Sequence, residues 1–168
     1  FGNEILQKHG IQGFYTNSLF NFSRYFNTNY IPNSIELGRS FIQKKYWNTN
    51  VLFYLWQGIG AFLASNPQIK YLFGGVSISN SYPPEVRQMI VYVYKKWFGE
   101  KEEIVISKYK FQIPDTESIK FNNIFIGVSF KDDYKILKQM LKPYSLTIPV
   151  LYKHYAELCE QDGVKFMD

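Results

Sequence analysis

An α/β fold is predicted by three features of the chain: alternating strand-like and helical segments, apolar stripes at helical spacing, and the prolines and glycines that separate them. In order, the segments read strand, helix, strand, helix, irregular stretch, helix, helix, strand. Periodicity alone does not select among α/β folds.

The chain opens at Phe1 in what reads as an extended segment, so both ends read as cut. Gly10 to Asn33, rich in Asn, Tyr, Phe and Ser, reads as loops and short turns carrying aromatic plugs. Ser34 to Ile42 reads as a strand. Asn48-Thr49-Asn50 offers cap chemistry for a helix over Val51 to Ser65, with Leu52, Leu55, Trp56, Ile59 and Leu63 as its inward stripe and Asn66-Pro67 as its stop. Tyr71 to Ser79 is an apolar run suited to a buried strand. Ser81-Tyr82-Pro83-Pro84 opens a second helix to about Phe98, with Val86, Ile90, Val93 and Trp97 on one face and Gly99 as its stop. Glu100 to Gly127 reads as an irregular excursion packed by Tyr109, Phe111, Phe121 and Phe125. Asp132-Asp133 is expected to cap a helix carrying Ile136, Leu137, Met140 and Leu141, which Pro143 ends. Pro149 suits the first turn of a further helix with Leu151, Tyr155 and Leu158 inward, and Val164 to Met167 reads as the start of a strand.

The length suits one domain, 1–168, with a sizeable core. Aromatics make up 19% of the residues, which argues against disorder. No run of 18 apolar residues is present, so no spanning helix is expected. The single cysteine, Cys159, excludes an internal disulfide and fits a reducing compartment as a buried structural thiol. His9 and His154 have no partner at metal-ligand spacing, so no metal site is expected. Residues 36–100 hold seven basic and three acidic side chains and so carry most of the net charge of +5. Such a field favours an anionic partner, although ordinary solvated charge reads equally well.

The run Glu36-Leu37-Gly38-Arg39-Ser40 is the main candidate for chemistry. In an extended strand Glu36, Gly38 and Ser40 share one face, and Leu37 and Arg39 the other. Glutamate suits a general base, and glycine lets a ligand approach the backbone. The alternative is a surface ion pair between Glu36 and a basic neighbour. Gly58-Ile59-Gly60 lies within a helix, where small residues suit close packing, and Gly74-Gly75 lies within a strand, where a bulge, a close ligand approach or packing would each explain it.

The stretch ELGRSFIQKKYWNTNVLFYLWQGIGAFLASNPQIKYLFGGVSIS, together with the later segment IPVLYKHYAELCEQDGVKFMD, resembles the N-acyltransferases of GNAT fold that act in bacterial aminolipid synthesis. That family comprises ornithine– and glycine–acyl carrier protein N-acyltransferases, often labelled hemolysin-like. The resemblance implies a mixed central sheet flanked by helices. It also implies transfer of a fatty or 3-hydroxy fatty acyl group from a carrier-protein thioester to the amine of glycine or ornithine.

By the same resemblance Glu36 would be the base or orient the amine, and Arg39 would pair with a carboxylate or hold a loop. Tyr152 falls where some GNAT enzymes keep a tyrosine that protonates the leaving thiolate. The donor arm would lie along Ser40, Phe41 and Ile42, with its phosphate at the helix start Thr49, Asn50 and Val51. GNAT enzymes that use coenzyme A usually carry Gln/Arg-x-x-Gly-x-Gly/Ala after this strand. Here Gln43 to Asn48 is bulky, which favours an acyl carrier protein 4'-phosphopantetheine thioester over acyl-CoA, with Lys44, Lys45 and Arg87 meeting the acidic carrier. No metal cofactor is implied. The resemblance places such an enzyme in the cytoplasm, with peripheral contact at the inner face of the membrane. The rival reading is a non-enzymatic membrane- or nucleic-acid-binding module. No spanning or pore-forming segment supports the first form, and the aromatics on inward helical faces argue against the second.

Overall fold

The computed structural model describes residues 1–38, 41–47, 49–158 and 163–167. They fall into two compact units, Phe1–Gly75 and Val76–Asp168.

The first unit begins with a helix, α1 (Gly2–His9), where the sequence suggests an extended segment. Two short 3-10 turns lead to β1 (Phe20–Phe22) and α2 (Arg24–Asn29). The hydroxyl of Ser23 caps α2 by accepting from the amide of Phe26 at 3.1 Å. β2 (Ser34–Glu36) pairs in parallel with β3 (Tyr71–Phe73), Ile35 opposite Leu72. Between them runs α3 (Val51–Ala64).

Both strands are shorter than the apolar runs suggest. β2 stops at Glu36 rather than Ile42, and β3 stops at Phe73 rather than Ser79. Gly38 stands two residues beyond β2, Gly74 and Gly75 follow β3 directly, and glycine contributes no side chain to hold a strand to its neighbours. Phe41, 82% exposed, lies outside the strand.

The aromatic plugs expected before Asn33 form the core of this unit. The Phe73 ring centroid lies 5.7 Å from that of Phe14 and 5.6 Å from that of Phe26, the latter edge-on, and Tyr30 stacks on Phe26. Edge-to-face pairs of this kind add about 0.5–1.5 kcal/mol each beyond their buried area.

The structure of α3 differs from expectation in one respect. Its predicted inward stripe is not buried: Leu55 is exposed, and Leu52, Trp56, Ile59 and Leu63 are only half-buried. Apart from exposed Gln57 the helix is apolar or weakly polar all round, so no continuous polar face sets the stripe off.

In the second unit α4 (Pro84–Phe98) buries Val86, Ile90 and Val93 as its periodicity predicts, while Trp97 is half-buried. After the short strand β4 (Val105–Ser107), the supposedly irregular stretch contains a helix, α5 (Asp115–Ile124). Pro114 precedes it and Asp115 and Glu117 occupy its first turn, a start signal that its weak apolar stripe obscures. Phe121 and Phe125 then enter the core with α4.

The next helix, α6 (Phe130–Leu141), is capped by Ser129 rather than by Asp132 or Asp133; its hydroxyl accepts from the amide of Asp132 at 3.3 Å. Asp133 instead turns inward and is completely buried. α7 (Val150–Leu158) follows, with Tyr152 deeper than Leu151 or Tyr155. Val164 to Met167 contributes one parallel bridge, Phe166 to Gly99, rather than a strand.

Candidate active site

Glu36 closes β2, and its carboxylate turns toward the 3-10 turn Thr16–Ser18. One oxygen accepts from the Thr16 amide at 2.7 Å and from the Thr16 hydroxyl at 2.6 Å. The other accepts from the Tyr15 amide at 3.2 Å. The start of a helical turn leaves amide donors unpaired, and an anion satisfies them. A carboxylate offers about four acceptor positions, so three donors fix its orientation and leave room for one more partner. Glu36 is half-buried and Thr16 is buried.

Tyr15 and Thr16 are residues that sequence reasoning missed. They stand about twenty positions from Glu36, and no local pattern announces the pairing. Because the Thr16 hydroxyl bonds to a charged group, its loss should cost about 1.5–3 kcal/mol. Thr16→Val is expected to lower the melting temperature by roughly 3–10 °C in thermal denaturation, with Thr16→Ser close to wild type. A Thr16→Val melting curve superimposable on wild type would show that the hydroxyl holds nothing.

The β2–β3 ladder ends beside Glu36. The last bond runs from the Leu37 amide to the Phe73 carbonyl at 2.7 Å. At Gly74 the two backbones approach so closely that a Cβ would stand 2.1 Å from the Leu37 carbonyl oxygen. Close backbone approach, not a bulge, explains this glycine. By strand alternation Ile35 and Leu37 face away from the Glu36 side chain. They border an apolar groove of about 530 Å³ against α3.

The remaining candidates are dispersed. Arg39 and Ser40 lie outside the described residues, as do Asn48 and Cys159. Phe41 and Ile42 are described but not strand-paired, and the Ile42 carbonyl accepts from the Trp47 indole at 2.9 Å. At the start of α3 the Asn50 side chain makes no cap; the Thr49 hydroxyl accepts from the Val51 amide at 3.4 Å and donates to the Tyr46 carbonyl at 2.6 Å. Lys44 and Lys45 occupy an exposed 3-10 turn, Lys44–Tyr46, with the Lys45 ammonium 4.8 Å from the Tyr46 ring centroid.

Arg87 and Tyr152 belong to the second unit. Arg87 donates to the Asn80 side chain at 3.1 Å. Tyr152 packs edge-on against Tyr94 at 5.0 Å, and burial pushes its phenol up to about 12. Among the described residues no cluster of potential metal ligands occurs, and no helix is long and apolar enough to cross a membrane.

The stretch that runs from α1 through β2, with the Glu36 carboxylate at its end, into the first half of α3 coincides with part of a known domain. Residues 3–57 match the family model described as an acetyltransferase (GNAT) domain, and the mixed helices and small strands agree with it; the fold is of the GNAT class. Two proteins named glycine N(alpha)-acyltransferase are similar over most of the chain. The one from Phocaeicola vulgatus is 35% identical over 165 residues, covering 94% of this chain and 50% of that protein. The one from Bacteroides thetaiotaomicron is 37% identical over 150 residues, covering 85% of this chain and 44% of that protein. The chain thus spans about half the length of these relatives. No solved structure gives a significant match.

Proposed function

We propose that this chain forms part of an N-acyltransferase that moves a fatty acyl group from a thioester to the amine of glycine or a similar amino acid. The observation that carries the proposal is the end of β2. There a carboxylate is held by three donors, the strand ladder stops, and an apolar groove begins. The likeness to two glycine N(alpha)-acyltransferases supports the acceptor class.

In the proposed reaction the amine nitrogen attacks the thioester carbonyl carbon, the C–N bond forms and the C–S bond breaks. Glu36 orients the ammonium and takes its proton through its remaining acceptor position. Arg39 binds the acceptor's carboxylate as a planar, doubly donating partner. The nitrogen gives up a second proton as the amide forms, to solvent, and the leaving thiolate takes one up. By the resemblance alone Tyr152 would supply it, although burial pushes its phenol up to about 12 and makes it a weaker acid than a free tyrosine.

For the donor we propose an acyl carrier protein arm rather than coenzyme A, and membrane aminolipids as the product class. The bulky Gln43–Trp47 stretch lacks the glycines that expose backbone amides to a pyrophosphate. Exposed Lys44 and Lys45 suit an acidic carrier, with Arg87 as a further contact. A protein with this product would work at the inner face of the cytoplasmic membrane.

Matched acyl donors on the carrier protein and on coenzyme A, offered to the full-length protein with glycine and with ornithine, test both levels. Faster turnover of the carrier-bound donor is expected. Equal or better use of acyl-CoA would remove the carrier protein and leave the acyl transfer intact.

A further inference from the structure

The groove beside β2 has a feature that protein packing does not explain. Ile35 of β2 and Leu37 just beyond it lie on one side, Tyr54, Leu55, Gly58, Ile59 and Phe62 of α3 on the other, and Phe1 also lines it. No charged side chain among the described residues lines it. Its volume, about 530 Å³, lies in the range of small-molecule sites. The α3 residues recur at spacings of three and four, so the groove follows roughly two turns of the helix.

Gly58 and Gly60 each cost an α-helix about 0.8–1 kcal/mol relative to alanine. Such a cost is commonly offset by close approach of another element, which is the packing role the sequence suggests. Here a Cβ at either position would meet no atom within 4 Å among the described residues. Gly58 lines the groove and Gly60 does not. A side chain at position 58 would therefore enter the groove, and its Cβ would displace no protein atom.

We infer that this groove holds the methylene chain of the acyl donor and that Gly58 sets the chain length it accepts; this rests on the acyl-transfer reading above. The occupant follows from the lining and from continuity with the site. The wall is almost entirely apolar, with the Tyr54 phenol the one polar side chain among its described lining residues and no charged one, so it suits hydrocarbon and offers no counter-charge to an amino acid or a phosphate. The groove reaches Leu37, where the strand ladder ends and Glu36 stands on the opposite face. An acyl chain lying along α3 would thus present its thioester at the open end of the strand pair. The amine would approach from the carboxylate side.

The test uses the full-length protein, a graded series of saturated acyl donors from short to long, and two variants. Gly58→Leu should lower the ratio of long-chain to short-chain transfer by about fourfold for each methylene excluded. Gly60→Leu, equally free of neighbours but outside the groove, should keep the wild-type profile. Calorimetric titration with palmitate supplies a second readout, independent of turnover: wild type and Gly60→Leu should bind it, and Gly58→Leu should bind it at least tenfold more weakly. An unchanged chain-length profile and unchanged palmitate affinity in Gly58→Leu would overturn the inference. So would a loss of self-association in Gly58→Leu with both readouts unchanged, because the groove would then be covered by a second copy of the chain. Palmitate binding that Gly58→Leu abolishes, in a protein that transfers no acyl group, would uphold the groove and overturn the reading of the reaction.

Discussion

Glu36→Gln is expected to lower acyl transfer by roughly a hundredfold or more while leaving the protein folded. Glutamine keeps the length of the side chain but cannot take a proton from an ammonium. It also changes the local bonding in a predictable way. The amide oxygen can still accept from the Thr16 amide and hydroxyl, but the amide NH2 then faces the Tyr15 amide, donor against donor. One bond is lost, at about 1–3 kcal/mol, so the melting temperature should fall by roughly 2–10 °C. That shift separates two roles for the residue. If Glu36 served only to hold the Thr16 turn, Thr16→Val and Glu36→Gln would reduce turnover alike at a temperature where both are folded. If it handles the proton, Glu36→Gln falls far below Thr16→Val. Steady-state rates of the two variants, measured below both melting points, decide the matter; wild-type-like turnover in Glu36→Gln would remove Glu36 from the chemistry.

The largest effect on stability is expected in the second unit. Asp133 is 0% exposed, and its carboxylate accepts from the Lys96 ammonium at 2.7 Å, the Trp97 indole at 2.8 Å and the Gly127 amide at 2.8 Å. Lys96 also donates to the Phe125 carbonyl at 2.7 Å. The network ties α4 to the end of α5 and the start of α6. Asp133→Ala would leave the indole and the Gly127 amide without their acceptor and the ammonium without its counter-charge, a loss of about 3–5 kcal/mol. In a chain of this size that amounts to a melting temperature roughly 6–20 °C lower. Replacing Lys96 as well, by methionine, should recover part of the loss, because the uncompensated charge goes with it. An Asp133→Ala protein melting within a few degrees of wild type would show that the buried carboxylate is not what joins the three helices.

These two carboxylates show what the sequence carries and what it does not. Asp133 reads, with Asp132, as a helix cap because the pair precedes an apolar stripe, and aspartate is common at a helix start. The capping is done by Ser129, and nothing local distinguishes an aspartate that faces solvent from one that turns inward to Trp97. Glu36 is legible as a candidate because a glutamate there enters a strand-like run two residues before a glycine. Its partners Tyr15 and Thr16 are brought to it only by the fold.

Helices α4, α6 and α7 are readable because their apolar residues alternate with charge at helical spacing, and proline or glycine marks their ends. α5 escapes because Asn122 and Asn123 interrupt a short stripe and exposed Ile119 blurs its face. The strands are overestimated for a related reason. Apolar character around Phe41 or Ile78 resembles strand character, whereas pairing depends on a neighbour that local sequence does not reveal. The apolar helix α3 carries the same ambiguity: its composition suggests burial, and its position beside β2 instead leaves a groove.

The central claim, acyl transfer to an amino-acid amine, is tested most directly by mass spectrometry of lipids extracted from cells expressing the full-length protein, with Glu36→Gln cells as the control. A new N-acyl glycine or N-acyl ornithine species, present with wild type and at least tenfold reduced with the variant, is the predicted result. Folded wild-type protein at full expression without any new N-acyl amino acid would contradict it.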